Sequence, residues 1–121
     1  MWLGPCQAEE LACDWLRYMG HSGAQVTNQG ADGGLDVIAA GAVAQVKSVK
    51  AKVGRPVIQQ TVGAARGRRC AVFARGGFTR QAIAWAETAA AALFQFDHDG
   101  HIEAVTSHAR YRLAGAARRR S

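Results

Sequence analysis

The feature that most constrains the fold is a short apolar run with no polar residue inside it. Residues 70–74 read Cys-Ala-Val-Phe-Ala and follow a stretch with three arginines. An uninterrupted apolar run of this length is typical of a β-strand that is buried on both faces. Such a strand needs a layer of structure above it and another below it. The run therefore predicts a sheet that is covered by helices on both sides.

The flanking segments supply these helices and further strands. Apolar side chains at three- and four-residue spacing predict helices over residues 6–19 and 57–67, and Thr79 is placed to cap a third. The predicted order is α-β-β-β-α-β-α-β, with a final hairpin around residues 99–100. This order implies an α/β fold with a mixed central sheet flanked by helices. Strands are predicted at residues 24–27, 35–39, 43–49, 70–74 and 93–97.

Length and composition favour one ordinary globular domain. The chain has 121 residues, of which 49% are hydrophobic and 20% are charged. We expect a single domain over residues 1–113 and a basic, disordered tail over residues 114–121. No apolar run approaches the roughly 18 residues of a membrane-spanning helix, and no export signal is evident at the start. Three cysteines without a C-x-x-C motif fit a reducing compartment, so we expect a cytoplasmic protein.

The excess of basic over acidic residues lies wholly in the second half of the chain. Residues 1–60 hold five basic and five acidic residues, whereas residues 61–121 hold ten basic and four acidic residues. A basic domain tends to meet a polyanion, because each phosphate that it neutralises releases condensed counterions. A solubilising surface would explain the same charge. The candidate phosphate-contacting residues are Lys50, Lys52, Arg55, Arg66, Arg68 and Arg69, although the last three also suit the C-terminal end of a helix.

Three polar residues interrupt the predicted hairpin. If Ala40 and Gly41 form a two-residue turn, counting back along the strands places Asp36 opposite Gln45. Lys47 shares the face of Gln45, so an acid, an amide and an ammonium would converge on one side of the hairpin. A lysine inside an apolar strand is costly unless a nearby group needs its charge. A salt bridge between Asp36 and Lys47 is the simpler alternative.

This set of groups suits the hydrolysis of a phosphodiester. Mg²⁺ binds one or two carboxylates and completes its shell with water and phosphate oxygens, and Asp36 offers one such ligand. Lys47 could stabilise the charge on phosphorus or hold the attacking water. Because Gln45 is neutral, a second carboxylate must come from elsewhere. The first helix offers Glu9 and Glu10, which a solvated helix face would equally explain.

The spacing of these residues resembles that of a known nuclease superfamily. The pattern of Asp36, Gln45 and Lys47, preceded by Asp-Gly-Gly at residues 32–34, is similar to the PD-(D/E)xK nucleases. It most resembles their Mrr-type branch, in which Gln commonly replaces the acid before x-Lys. The first helix, the Val53-Gly54 pair with the following helix through Gly63, and the Gly-Phe-Thr segment at residues 77–79 also resemble this family. The likeness covers about residues 6–97.

The resemblance implies a restriction-endonuclease-like αβββαβ core that cuts DNA with Mg²⁺ or Mn²⁺. Asp36 and Glu9 would bind the metal, with Glu9 fitting the family's helix better than Glu10. The Gln45 side chain and the Val46 carbonyl would complete the metal site, and Lys47 would be the catalytic lysine. Cutting two strands also predicts a homodimer. A nuclease of the Holliday-junction-resolvase type and a non-catalytic DNA-binding module remain the alternatives.

Overall fold

The structure is a computed structural model that describes residues 4–27 and 34–120. Within these residues it has four helices and six strands. The helices are α1 (Pro5–Tyr18), α2 (Arg55–Ala65), α3 (Arg80–Ala89) and α4 (Ser107–Arg120). The strands are β1 (Gln25–Val26), β2 (Val37–Ile38), β3 (Ala42–Lys47), β4 (Arg69–Ala74), β5 (Ala92–Phe96) and β6 (Ile102–Ala104). No helix in this part of the chain is long and apolar enough to cross a membrane.

All six strands belong to one mixed sheet in the order β1-β2-β3-β4-β5-β6. The three central strands, β3, β4 and β5, run parallel, and the outer pairs are antiparallel. The parallel pairs are joined through α2 and α3, because parallel neighbours need a crossover connection. The predicted mixed α/β sheet flanked by helices is therefore confirmed. The Asp-Gly-Gly motif begins at residue 32, and its first two residues lie outside the described ranges.

The central strand is buried on both faces, as its composition predicts. Phe73 packs into a core with α1 and α4, where its ring stacks on Phe94 at a centroid distance of 4.8 Å. The neighbouring Val72 points the other way, into a second core with α2 and α3. The alternation of side chains along a strand thus divides one apolar run between two helix layers.

The C-terminal segment differs from the expected tail. Residues 114–120 form the second half of α4, which starts at Ser107. Ala109 and Ala116 are fully buried on the face that packs against the sheet, and Arg112 lies between them with 5% exposure. The amphipathic pattern is weak in the sequence, because the buried positions are small alanines among arginines. Alanine carries little hydrophobic signal, although its helix propensity is high.

The ends of β3 and β4 are held together by their following loops. The Arg75 N–H donates to the Lys47 carbonyl at 2.9 Å, and the Val53 N–H donates to the Gly77 carbonyl at 2.9 Å. Gly76 lies directly against the backbone of Lys50, where a side chain would overlap the Lys50 carbonyl. These contacts fix the loop that leaves the end of β3.

We predict that Gly76→Ala destabilises the protein, because the added methyl group would displace the loop after β3. The expected loss is about 2 kcal/mol in the free energy of unfolding, as in other overpacked sites. The matched control is Gly63→Ala in α2, where the added group meets open space. Alanine has the higher helix propensity, so this control should gain about 1 kcal/mol. Urea unfolding measures both values, and equal effects of the two variants would contradict the prediction.

Candidate active site

α1 carries Glu9 at the edge of its buried face. Ala8, Ala12 and Leu16 point into the core at four-residue spacing, and this apolar stripe packs the helix on the sheet. Glu9 follows Ala8 and is half-buried, whereas Glu10 is exposed. Of the two neighbouring glutamates, Glu9 is therefore the one that the fold turns toward the sheet.

Asp36 immediately precedes β2, where the backbone leaves the simple register of the hairpin. The predicted two-residue turn is confirmed, because the Ala39 N–H donates to the Ala42 carbonyl at 2.8 Å. Val37 then lies opposite Ala44. The Asp36 N–H also donates to the Ala44 carbonyl, at 2.9 Å. Two consecutive residues thus face one residue of β3, which is the arrangement of a β-bulge.

The bulge redirects the Asp36 carboxylate. The expectation that it lies opposite Gln45, on one face with Lys47, is wrong, because simple alternation does not continue through a bulge. Asp36 Oδ2 instead accepts a hydrogen bond of 2.8 Å from the backbone N–H of Val46. The carboxylate is therefore fixed to the backbone of β3, between the two polar side chains of that strand.

The carboxyl groups of Glu9 and Asp36 are in contact. Burial, the charge of Asp36 and a hydrogen bond between the two side chains raise the pKa of Glu9 above its ordinary value. Two carboxylates in one site repel each other when both are ionised, so such a pair favours a shared proton or a bound cation. Oxygen ligands of this kind are those that hard divalent cations prefer. The donor set therefore fits Mg²⁺ or Mn²⁺.

The Gln45 side chain bonds to α2, and no hydrogen bond joins it to Asp36. Its side chain is buried, and its amide contacts the hydroxyl of Thr61. Thr61 also donates to the Val57 carbonyl one turn earlier in α2, at 2.8 Å. The other end of the Gln45 amide lies beside Gly34, which precedes Leu35 and Asp36. Sequence reasoning missed Thr61, although its position three residues after Ile58, on the buried side of α2, was a signal.

Lys47 ends β3 and is half-buried. Within residues 4–27 and 34–120, its ammonium group has no hydrogen bond or ion pair, so the alternative salt bridge with Asp36 is not formed there. A strand residue points its N–H and C=O to the same edge, and the Val46 N–H reaches Asp36. The Val46 carbonyl therefore also points to the edge of β3 where Asp36 lies.

The structure divides the candidate phosphate-contacting residues between two ends of the sheet. Lys50, Lys52 and Arg55 are exposed and follow Lys47 at the end of β3. Arg66, Arg68 and Arg69 lie at the start of β4, where Arg69 is opposite Ala42, five residues from Lys47. At the rise of a strand, this separation is about 16 Å. Arg68 Nε donates to the Ala65 carbonyl at 2.8 Å, which satisfies the end of α2.

A second group of potential ligands lies in the β5–β6 turn. The ligand atoms of Asp97, Asp99 and His101 lie within 4.8 Å of one another, and all three residues are exposed. Asp97 Oδ1 accepts the backbone N–H groups of Asp99 and His101, at 2.9 and 3.1 Å. This pattern is that of an Asp-stabilised turn, so the hairpin itself explains the cluster.

The structure has a mixed sheet between helix layers, two adjoining carboxylates, and a lysine at the end of the next strand. This combination is typical of the class of restriction-endonuclease-like nuclease domains. Comparison with family models agrees: residues 3–106 match the family model Mrr_cat, described as a restriction endonuclease. The chain belongs to this family. Neither the comparison with curated proteins nor the comparison with solved structures found a match.

The raised pKa of Glu9 predicts a specific dependence of stability on pH in the absence of metal. The folded state holds the Glu9 proton more tightly than the unfolded state, so the associated stability is present below the ordinary glutamate pKa and is lost as pH rises through the folded value. Glu9→Gln should therefore gain stability over the wild type between pH 4.5 and 7.5. We expect a gain below about 1 kcal/mol, because the group is partly solvated.

Urea unfolding in EDTA across this pH range measures the effect. Glu10→Gln is the matched control, because it removes the same charge from the neighbouring, exposed position. If both variants followed the same pH dependence, the contact between Glu9 and Asp36 would not be the cause.

Proposed function

We propose that this protein is an endonuclease that hydrolyses phosphodiester bonds in DNA with Mg²⁺ or Mn²⁺. The observation that carries the proposal is the contact between the Glu9 and Asp36 carboxyl groups, next to the strand that ends in Lys47. A structural role alone does not explain why a fold would hold two acids against each other, since their repulsion is unfavourable at neutral pH.

The metal would be held by oxygen atoms from α1, from the residue before β2 and from β3. Asp36 and Glu9 supply carboxylates, and Val46 supplies a backbone carbonyl at the same strand edge. When bound, the cation activates water and neutralises charge on the phosphate. The hydrogen bond from the Val46 N–H fixes one Asp36 oxygen, which leaves the other oxygen, Oδ1, for the cation.

The Thr61 hydroxyl decides which atom Gln45 offers to the site. A hydroxyl carries one hydrogen, and the Val57 carbonyl can only accept it. The structure places Gln45 Oε1 beside this hydroxyl, so both Val57 and Gln45 would compete for the same hydrogen. Turning the Gln45 amide by 180° satisfies all three groups, because Thr61 then donates to Val57 and accepts from the Gln45 NH₂. The Gln45 carbonyl oxygen is then turned away from Thr61, to the end of the amide beside Gly34, where it can serve as a neutral ligand. Thr61 is thus a positioning residue.

Lys47 would act on the phosphate itself. Its stem is half-buried at the end of β3, and its ammonium group is not engaged by any other described residue. A fixed ammonium stabilises the negative charge that develops on phosphorus, or holds the attacking water in place. The exposed Lys50, Lys52 and Arg55, at the same end of the sheet, would contact neighbouring phosphates and contribute a salt-dependent share of DNA affinity.

We further propose that two copies act together, because the cutting of both strands of a duplex takes two sites. A sedimentation mass of one chain under conditions that still give double-strand cleavage would overturn this part. Cleavage of four-way junctions in preference to linear duplex would favour the resolvase-like alternative over a restriction-type nuclease.

The central test is metal-dependent cleavage of supercoiled plasmid, read together with Mn²⁺ binding by calorimetry. Lys47→Met should lower the cleavage rate at least about 100-fold while Mn²⁺ binding persists, as for the loss of one charge-stabilising group. Asp36→Asn should lose both activities, because it removes a ligand. Glu10→Gln is the control and should resemble the wild type. Cleavage by Lys47→Met at the wild-type rate would refute the mechanism, and absence of Asp36-dependent Mn²⁺ binding would favour a non-catalytic module.

The role of Thr61 predicts a separable effect on metal affinity. Thr61→Val keeps the side-chain volume but leaves the buried Gln45 amide without its partner, which should cost about 1–2 kcal/mol of stability. Mn²⁺ affinity should also fall several-fold, because the amide is no longer oriented. Thr61→Ser restores the hydroxyl and should recover the affinity. Thr88→Val, which removes an exposed helix hydroxyl of α3, is the control. Loss of stability without any change in affinity would assign Thr61 a purely structural role.

A further inference from the structure

The far end of the sheet holds a buried arginine that has no acidic partner among residues 4–27 and 34–120. Arg112 of α4 is only 5% exposed. Its Nη2 lies 3.4 Å from His21 Nε2, and its Nη1 is buried with no hydrogen-bond partner among the described residues. A buried cation is costly unless an anion or several acceptors compensate it. The guanidinium group is therefore incompletely satisfied in the protein on its own.

Arg112 lines a surface pocket of about 370 Å³. Four of the seven residues that line it are arginines, and none is acidic. Arg119 is fixed there through its Nη2, which donates to the Met19 carbonyl at 2.9 Å. The volume is within the range of pockets that bind small molecules. The lining residues are Met19, Arg69, Tyr111, Arg112, Gly115, Arg118 and Arg119.

The pKa values of two histidines near the pocket are affected by its arginines. Burial, followed by the charges of Arg112 and Arg69, lowers the pKa of both His21 and His108. Burial and the charge of Arg69 also lower the pKa of Arg112, to about 10. The contributions of Arg112 and Arg69, which rank after burial, show that positive charge gathers here, and this charge favours an anion in the pocket.

The pocket is separate from the carboxylate site. Arg69 lies at the start of β4, about 16 Å along the sheet from the end of β3 that carries Lys47. Met19 follows the C-terminal end of α1, about 15 Å along the helix from Glu9. A phosphate in this pocket is therefore well beyond reach of a metal held by Asp36.

Guanidinium groups favour one ligand chemistry in particular. Their planar arrays of N–H donors match the oxygens of a phosphate, often with two parallel hydrogen bonds. Tyr111 adds a flat ring to the pocket wall and is 66% exposed, which suits stacking with a planar base. Phosphate next to a base is the chemistry of a nucleotide unit.

We propose that the arginine pocket formed by Arg69, Arg112, Arg118 and Arg119 is a second anion site that binds the phosphate of a nucleotide unit, with its base against Tyr111. The unit is either free or part of a nucleic-acid strand, and the two sources share this chemistry. The site goes beyond the proposed nuclease activity and does not depend on the metal.

Calorimetric titration in EDTA, at fixed ionic strength and without metal, tests the proposal. The ligands are inorganic phosphate, adenosine monophosphate and a short single-stranded oligonucleotide, with chloride as the reference anion. We expect binding of adenosine monophosphate at least tenfold tighter than that of inorganic phosphate. If the ligand is a free nucleotide, the oligonucleotide should bind no more tightly than the monophosphate. If the ligand is a nucleic-acid strand, the oligonucleotide should bind more tightly.

Three variants in the pocket and one control outside it locate the binding. Arg112→Met and Arg69→Gln should each weaken phosphate binding at least about tenfold, as expected for charge-assisted hydrogen bonds. Arg110→Gln removes the same charge from α4 but outside the pocket, and it should bind like the wild type. Tyr111→Ala should weaken the monophosphate but not inorganic phosphate. Arg69→Gln keeps the test decisive if Arg112→Met fails to fold, because Arg69 is exposed.

Two results would overturn the proposal. Phosphate binding no stronger than chloride binding would exclude an anion site. Equal losses in Arg110→Gln and Arg69→Gln would show that net charge, and not the pocket, attracts the anion. These outcomes are independent of the nuclease proposal, because all titrations exclude the metal and no variant touches Glu9, Asp36 or Lys47.

Discussion

The hydrogen bond from the Val46 N–H to the Asp36 carboxylate links the fold of this domain to its chemistry. It forms because a bulge precedes β2 and turns Asp36 out of the hairpin register, toward α1. Glu9 then meets the fixed carboxylate from the helix layer. The acid pair consequently depends on the packing of α1 against the sheet, and any shift of that helix would separate its two oxygen donors. A helix and a bulge fixed to β3 by a hydrogen bond thus hold the candidate carboxylate ligands.

The two ends of the sheet carry different charged groups. The Glu9 and Asp36 carboxyl groups lie beside β3, and the end of that strand carries Lys47 and is followed by exposed cations, an arrangement that suits a cation and a phosphodiester. At the opposite end, arginines gather around Arg112 without an acid among the lining residues. Arg69 and Lys47 lie at opposite ends of the parallel strands β3 and β4, about 16 Å apart along the sheet. The two sites can therefore carry opposite electrostatic preferences without cancelling each other.

Periodicity and composition predicted most of the fold. The apolar run at residues 70–74 was assigned correctly because burial on both faces leaves no room for polar residues, and Thr79 caps α3 through its side chain as expected. The two-residue turn between β2 and β3 was also correct. The end of the chain was not, because alanines on the buried side of α4 leave a basic sequence that has little hydrophobic contrast.

By itself, the sequence determined the order of the elements as far as the β5–β6 hairpin, the mixed sheet and the family resemblance. These features follow from the spacing of residues along the chain, which does not depend on how distant segments pack. Only the tertiary structure decided that Asp36 contacts Glu9 and Val46 and does not lie opposite Gln45, that Thr61 holds the Gln45 amide, and that Arg69 joins Arg112 at the far end. Each of these contacts joins segments distant in the chain, and a bulge or a helix approach sets their geometry. One-dimensional spacing does not encode either feature.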